Sequence, residues 1–309
     1  MNPGHGTRPP SDTVHVSATL DKATAENFPV APAFLPRAWR DGLTAVYGYA
    51  RLVDDIGDGD LAPGGHDAVL LGLDPAAVDD RLAMLDALET DLLRVFGSVD
   101  GPPRHPLLLA LRPVVGAHGL TPEPFLGLIE ANRQDQRVRR YETYGDLVAY
   151  CELSANPVGR LVLSLTGTST PERIRLSDAV CTALQIVEHV QDVAEDLGRD
   201  RIYLPAEDMR RFHVSEADLA APTAGASVRA LVAFESERAR ALLDAGIPLV
   251  GSVHGRLRLL LAGFVGGGRA ALRAVTAAGF DVLPGPPKPT KSGLFREVAA
   301  VLRTAPRKR

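Results

Sequence analysis

The sequence of 309 residues contains only two cysteines, Cys151 and Cys181, and both lie within apolar helical patterns. Two thiols in such surroundings do not form a disulfide framework, so we expect both to be reduced and to belong to the core. The eight histidines are scattered without the spacing of metal ligands. The cysteine usage therefore predicts a chain that stays in the cytoplasm.

An excess of positive charge is also absent, because 34 Lys and Arg stand against 38 Asp and Glu. No nucleic-acid partner is expected from such a balance. Residues 1–20 are polar and lack the apolar core of a secretory signal. The most apolar segment, residues 247–265, is interrupted by His254, Arg256 and Arg258, so no transmembrane helix is predicted. The mean hydropathy of +0.01 suits a helical core that also encloses an apolar cavity.

No segment shows a sustained alternation of apolar and polar residues with a period of two, which favours an all-α fold. The chain has no Gly-x-Ser-x-Gly nucleophile elbow. It also has no dinucleotide-binding fingerprint, so no NADPH is expected. Gly266-Gly267-Gly268 is not a phosphate-binding loop, because no Gly-Lys-Ser/Thr follows it. Three parts are predicted: a disordered segment over residues 1–20, one helical domain over 21–304, and a basic tail over 305–309. The tail has two interpretations, a solvated terminus or a peripheral contact with anionic lipid.

What the chain does have is an acidic helix over residues 183–197, within a helical segment that Thr170-Pro171 begins. Asp192 and Asp196 are four residues apart and share a face, and Glu188 and Glu195 project to the same side. Toward the N-terminus this face becomes apolar through Leu184, Cys181 and Ile174. Such a gradient is typical of a helix that lines a cavity and carries its acids at the rim.

A second predicted helix, over residues 43–58, also has an apolar face that ends in a pair of aspartates. Asp54 and Asp58 are again four apart, with Arg51 beside them and Leu43, Tyr47 and Ala50 behind. A single such pair is ordinary solvated surface, and that alternative stays open for each helix. Two pairs that each end an apolar face indicate a shared site. Carboxylates suit Mg²⁺, which proteins usually share with substrate phosphates, and an Arg suits diphosphate.

Two further helical segments are predicted, over residues 74–97 and 143–166. The second contains Pro157, which removes a backbone hydrogen bond and kinks a helix. Ser154, Asn156 and Pro157 together indicate a kink that opens backbone carbonyls toward a cavity, and the alternative is a kink made only for packing.

The acidic segments resemble the paired aspartate motifs of squalene and phytoene synthases. The motifs are Asp54-Asp55-Ile56-Gly57-Asp58 and Gln191-Asp192-Val193-Ala194-Glu195-Asp196, the latter followed by Arg199-Asp200-Arg201-Ile202-Tyr203-Leu204-Pro205. Residues 26–31 and 154–160 resemble the bacterial hydroxysqualene synthase branch, and the likeness runs from about residue 26 to 301. This resemblance implies a single-domain isoprenoid-synthase-type helical bundle around a central apolar cavity.

The resemblance also implies roles for individual residues. Metal ligands would be Asp54, Asp58, Glu188, Asp192 and Asp196, holding Mg²⁺. Substrate contacts would come from Asn27, Tyr47, Arg51, Tyr150, Asn156, Gln185, Glu188, Gln191, Arg201 and Tyr203. The four aspartates and Arg51 would carry catalysis, while Asp55 lies one residue off the acidic face and would support its neighbours.

Three positions depart from the wider superfamily, whose condensing members usually have Asn at position 188, Arg at position 191 and a Tyr near Gly267-Gly268. The carboxylate of Glu188 and the replacement of Arg by Gln191 should weaken the binding of a second diphosphate. We therefore expect the hydroxysqualene synthase reaction, in which presqualene diphosphate is ionised and water captures the cation. This reaction belongs to squalene and hopanoid biosynthesis, so the resemblance implies other enzymes of that pathway as candidate partners.

A plain carrier of apolar ligands is one other reading, although it would have no use for four aspartates at a rim. Two further readings stay open. One is a head-to-head prenyl transferase that makes presqualene diphosphate, squalene or phytoene. The other, from a different class, is a non-catalytic helical assembly protein that kept the fold. Such a protein would be expected to lose the acids, and both pairs are intact here.

Overall fold

The computed structural model describes residues 31–305. Asn27, the segment over residues 1–20 and nearly all of the basic tail lie outside this range, so their predicted structure and roles stay predictions. Residues 31–305 form helices and connecting turns, with one isolated β-bridge between Arg140 and Ile202 and no strand in that range. The all-α prediction is confirmed.

The described residues form two compact units, one ending at Pro122 and the other beginning at Glu123. In the first unit the helices are α1 (Arg37–Asp58), α2 (His66–Leu71), a 3₁₀ helix (Pro75–Asp79), α3 (Arg81–Val95) and α4 (Pro106–His118). α1 packs against α3 and α4. Tyr49, Leu88 and Leu108 are fully buried there. This apolar packing fixes the direction in which α1 carries its acidic C-terminal end.

A buried carboxylate organises the loop that enters α4. Asp91, fully buried on α3, accepts hydrogen bonds from the backbone N–H groups of Arg104 and His105 at 2.8 and 2.9 Å, and from Arg94 at 3.1 Å. His105 Nε2 lies 3.2 Å from Asp67 Oδ1 on α2. Since a buried carboxylate requires such partners, this network locks the loop to α2 and α3.

The second unit is built around a long central helix, α8 (Pro171–Gln191). Its other helices are α5 (Glu123–Asp135), α6 (Tyr144–Ser154), α7 (Asn156–Leu165), α9 (Val193–Gly198), α10 (Ala206–Arg211), α11 (Glu216–Leu219), α12 (Ala226–Ser252), α13 (Gly255–Ala277) and α14 (Lys291–Thr304). α8 packs most extensively against α12 and also contacts α7 and α13. A Cβ on Gly246 of α12 would lie 2.2 Å from Val180 Cγ2 of α8, so the glycine permits this close approach.

Three predicted helices are interrupted in the structure. Residues 74–97 form the 3₁₀ helix and then α3, because Asp80 caps a new start by accepting the N–H of Ala83. Residues 143–166 form α6 and α7, which divide at Ala155, so the expected kink is a break and Pro157 lies in the first turn of α7. The continuous helix predicted over 183–197 is wrong, because α8 ends at Gln191 and α9 begins at Val193.

Within the described residues one helix, α13, is long and apolar enough to cross a membrane by length and composition. In its most apolar window 61% is buried inside the structure. Leu260, Ala262 and Val265 are among its buried residues. Its packing is that of a core helix.

Candidate active site

The acidic end of α1 shows a gradient of exposure along one face. Leu43 is buried, Tyr47 and Ala50 are half-buried, and Asp54 is exposed. Asp58, on the last turn, is half-buried, and Gly59 ends the helix in the left-handed conformation with φ 76°. The structure therefore confirms an apolar face that ends in exposed acid on this helix.

Arg51 and Asp55 form the firmest polar contact on this end of α1. Arg51 Nη2 lies 2.8 Å from Asp55 Oδ1, and the Asp55 side chain is only 5% exposed. Burial lowers the pKa of the Arg51 guanidinium. Its electrostatic interactions with Asp55, Asp54 and Tyr47 outweigh the effect of burial, so the pKa is raised overall. Asp55 thus holds Arg51 in place beside Asp54.

The break between α8 and α9 falls on Asp192. Its φ and ψ are −103° and 18°, outside the helical region, yet its carbonyl still accepts the N–H of Asp196 at 2.8 Å. Burial, together with the charges of Asp196 and Glu195, raises the pKa of Asp192 to about 6. A carboxylate whose charge is opposed by burial and by like charges gains most from a bound cation.

His189 connects the acidic turn to the interior of the second unit. Its Nδ1 lies 3.9 Å from Asp196 Oδ2, and its Nε2 lies 3.3 Å from Gln185 Nε2. The imidazole also stacks on the ring of Tyr203, with centroids 3.8 Å apart. His189 is buried, so these contacts fix the turn that carries Asp192 and Asp196.

Below this stack lies a buried carboxylate with two phenol donors. Tyr150 donates to Asp135 Oδ2 at 2.7 Å, and Tyr203 donates to Asp135 Oδ1 at 2.9 Å. Burial raises the pKa of Asp135, while the Tyr150 hydrogen bond and the charge of Arg201 lower it. Arg201 is therefore close enough to act on this carboxylate. The structure brings together three predicted substrate residues, Tyr150, Arg201 and Tyr203, around one unpredicted acid.

Two other predicted substrate residues hold parts of the second unit together. Asn156 is buried and its Oδ1 accepts the hydroxyl of Thr182 at 3.0 Å, which ties α7 to α8. Gln191 is buried and donates through Nε2 to the carbonyl of Pro287 at 2.7 Å. Both side chains thus have internal partners, and Gln191 anchors the linker that precedes α14. Glu188 is exposed, as are Glu195 and Arg199, which lie 3.5 Å apart.

At the break between α6 and α7, Ser154 presents a buried hydroxyl without a partner. Its Oγ is inaccessible to solvent and makes no hydrogen bond within the described residues. Buried hydroxyls normally find a partner or an ordered water. Ser154 thus has hydrogen-bonding capacity at this break that no described residue uses.

A ready-made metal centre is not seen: residues 31–305 contain no group of three or more His, Cys, Asp or Glu arranged to hold an ion. The donor chemistry still fits Mg²⁺. Asp54 and Asp58 end α1, and Asp192 and Asp196 flank the start of α9. Mg²⁺ at phosphate sites is commonly held by one or two carboxylates plus substrate oxygens and water, so pairs of this kind suffice.

Sequence reasoning missed Asp135 and His189 as parts of this site. Two features of the sequence could have identified these residues. Buried tyrosines require hydrogen-bond partners, and an acid at the end of α5 was available. In the continuous helix predicted over residues 183–197, His189 and Asp196 are two turns apart and would share a face.

Comparisons with known proteins identify the family of this chain. The profile of the squalene/phytoene synthase family matches residues 21–293. A hydroxysqualene synthase of Zymomonas mobilis is 32% identical over 232 residues, covering 74% of this chain and 71% of that protein. A 15-cis-phytoene synthase of Synechococcus elongatus is 31% identical, covering 70% of this chain and 68% of that protein.

Solved structures give the same result. The crystal structure of squalene synthase HpnC from Alicyclobacillus acidocaldarius has a TM-score of 0.73 and 40% identity, covering 89% of this chain and 98% of that one. A dehydrosqualene synthase with a bound ligand has a TM-score of 0.76 at 23% identity and supports the fold alone, covering 94% and 96%. The expected isoprenoid-synthase-type fold is confirmed, and this chain belongs to the squalene/phytoene synthase family, whose members act on prenyl diphosphates and are generally metal-dependent.

Proposed function

We propose that this chain ionises presqualene diphosphate and lets water capture the cation, giving hydroxysqualene and diphosphate. The carbon–oxygen bond to diphosphate breaks and its electron pair leaves with diphosphate. A water oxygen then bonds to the cationic carbon and gives up a proton to solvent or to the departing diphosphate. Atoms and electrons balance without an oxidant or a reductant.

The acidic ends of α1 and α8–α9 would hold the metal that accompanies the diphosphate. The proposed ligands are Asp54, Asp58, Asp192 and Asp196, with Glu188 nearby in sequence. Bound Mg²⁺ supplies charge neutralisation of the leaving diphosphate. Arg51 would contact a diphosphate oxygen while Asp55 keeps the guanidinium oriented at 2.8 Å. The exposure of Asp54 and the raised pKa of Asp192 support this assignment.

The choice of a substrate with one diphosphate rests on the environment of the Gln191 side chain. Its neutral amide is buried and bonded to Pro287, and no Lys or Arg occurs over residues 181–191. A second prenyl diphosphate would find no guanidinium or ammonium group on these turns, and Glu188 would repel it. The relatives described as hydroxysqualene synthases, including one from Rhodopseudomonas palustris at 32% identity, support the same choice.

Water capture would take place near the break between α6 and α7. The unpartnered Oγ of Ser154 would supply one of the polar partners that an ordered water needs. The aspartates are poorer candidates because the diphosphate and its metal would occupy them. The buried Asp135–Tyr150–Tyr203 group would orient the substrate through Arg201 and the aromatic rings rather than supply the nucleophile.

The test is to incubate the purified chain with presqualene diphosphate or farnesyl diphosphate, with and without Mg²⁺, and to identify products by mass spectrometry. The proposal expects a hydroxylated C30 product from presqualene diphosphate only when Mg²⁺ is present. Release of diphosphate from neither substrate would instead favour the non-catalytic homologue.

The similarity to phytoene synthases favours a second candidate, head-to-head condensation of two prenyl diphosphates. This reading predicts C30 or C40 condensation products from farnesyl or geranylgeranyl diphosphate, and no hydroxylated product from presqualene diphosphate. The same assay therefore separates the two functions.

A further inference from the structure

The last helix, α14, has two opposite faces. Glu297 and Val301 are buried on the inner face, where Glu297 pairs with Arg273 and Val298 lies against Gly266 of α13. At about 100° per residue the opposite face is an arc of seven residues. In order around the helix they are Lys291, Leu302, Phe295, Ala299, Ser292, Arg303 and Arg296.

An exposed aromatic ring stands near the middle of this arc. Phe295 is 78% exposed, well above Val69, which at 52% is the next most exposed large apolar residue within the described range. Ala299 and Leu302 adjoin it and are half-buried. Lys291 lies on one side of this apolar stripe, and Arg296 and Arg303 lie on the other. An apolar stripe bordered by cations is the pattern of a helix that lies in a membrane interface.

The cations of the arc are available for an external partner. Lys291, Arg296 and Arg303 make no ion pair or hydrogen bond through their side chains within the described residues. The only acid on α14 is Glu297, which faces inward and already has a partner. All charged side chains of the outer face are therefore positive.

Charge is also divided unevenly along the chain. Residues 255–309 contain eleven Lys and Arg and only two acids, although acids outnumber bases 38 to 34 over the whole chain. Three of these cations, Arg307, Lys308 and Arg309, follow α14 in the sequence. Such an asymmetry complements an anionic surface, because each Lys or Arg near anionic lipid adds attraction within a Debye length.

We propose that the outer face of α14 docks on an anionic lipid bilayer, with Phe295 inserted among the acyl chains and Lys291, Arg296 and Arg303 on the lipid phosphates. This inference does not depend on which diphosphate the enzyme uses. It concerns how the protein reaches a lipid surface, and its test measures binding rather than turnover.

The test is co-sedimentation of the full chain with vesicles. One set contains phosphatidylcholine alone, and the other contains equal parts of phosphatidylcholine and phosphatidylglycerol. We expect binding to the mixed vesicles that weakens as salt is added, and at least about tenfold weaker binding to the neutral ones. Equal binding to both kinds of vesicle, or no binding to either, overturns the proposal.

Matched variants separate the helix from general surface effects. Phe295→Ser should weaken binding to mixed vesicles by about tenfold, whereas Leu109→Ser, at an exposed leucine of α4, should not change it. Arg296→Gln with Arg303→Gln should also weaken binding by tenfold or more, whereas Arg112→Gln with Arg175→Gln removes the same charge elsewhere and should have little effect. Equal losses in the test and control variants overturn the assignment to α14.

Other occupants of this face predict different results. A second copy of the chain would give a dimer that Phe295→Ser converts to a monomer, as measured by light scattering, with no vesicle binding. Coverage by residues 1–30 would give a monomer that binds neither kind of vesicle. Either result overturns the proposal.

Discussion

The hydroxyl of Tyr203 donates a hydrogen bond of 2.9 Å to Asp135, across 68 residues of sequence. Tyr203 belongs to the segment that follows the acidic turn, and Asp135 ends α5. The bond therefore ties the segment behind Asp192 and Asp196 to the interior of the second unit. His189 connects this bond to the acidic turn, because its ring stacks on Tyr203 and its Nδ1 lies 3.9 Å from Asp196 Oδ2.

Removing this hydroxyl should destabilise the fold. Tyr203→Phe keeps the ring and its stack on His189 but leaves Asp135 with one fewer donor. A hydrogen bond to a buried acid contributes about 1.5–3 kcal/mol, so we expect the free energy of unfolding to fall by about that amount. The matched control is Tyr141→Phe, whose hydroxyl accepts from the neutral amide of Gln134 at 3.2 Å, and which should cost about 1 kcal/mol. Urea denaturation measures both, and equal losses would show that Asp135 is not the important partner.

The acidic residues should matter for turnover and not for folding. We expect Asp54→Ala or Asp192→Ala to lower kcat by about a hundredfold or more, because each removes a proposed metal ligand from a partly exposed position. The control is Asp41→Ala, which removes an exposed acid from an earlier turn of α1. Near-normal kcat in either test variant, with an unchanged melting temperature, would remove those carboxylates from the metal site.

Substrate choice should respond to positions 188 and 191. The double variant Glu188→Asn with Gln191→Arg removes a repelling charge and adds a bidentate phosphate donor. We expect it to bind a non-hydrolysable farnesyl diphosphate analogue about five- to tenfold more tightly, as measured by calorimetry.

Because Gln191→Arg also breaks the bond to Pro287, a second variant separates the two effects. Glu188→Asn with Gln191→Ala loses the same bond but gains no cation, so its affinity should stay closer to that of the parent. Equal affinities in both double variants would argue against a role for the guanidinium.

The stability of the second unit should depend on pH through Glu235. This side chain is 1% exposed, and burial, opposed by Arg238 and assisted by Asp208, raises its pKa from 4.5 to about 7. The folded state then holds a proton that the unfolded state has lost between about pH 4.5 and pH 7. Stability from this group is therefore present below pH 4.5 and lost as the pH rises toward 7.

Glu235→Gln provides the measurement, because its amide cannot ionise. We expect the melting temperature of the parent protein to fall by several degrees more than that of Glu235→Gln between pH 5 and pH 8. Parallel pH profiles would show that Glu235 does not titrate in this window.

Much of the fold followed from local sequence patterns. The helical periodicity, the acidic face of α1 and the cap at Thr170 were all predicted, because each depends on residues within a few turns of one another. The break at Asp192 was not predicted, since the apolar spacing of Ile186, Val190 and Val193 continues across it. Tertiary contacts of the following segment, such as the stack of Tyr203 on His189, accompany the interruption.

The site was predictable only in part, for the same reason. Aspartates four residues apart can be recognised from spacing alone, but Asp135 gains its role from Tyr150 and Tyr203, which are 15 and 68 residues away. Gln191 could be placed on the acidic helix but not matched with Pro287, 96 residues later. Long-range partners of buried polar groups are set by packing, and no local periodicity reports them.

Incubation with presqualene diphosphate in ¹⁸O-labelled water tests the proposed reaction most directly. In the proposed reaction water ends the lifetime of the cation, and Ser154 would be one of the groups that hold this water. We expect mass spectrometry to find the label in the alcohol of a hydroxylated C30 product, equally with and without NADPH. Squalene that forms only when NADPH is added, with no labelled alcohol in its absence, would contradict it.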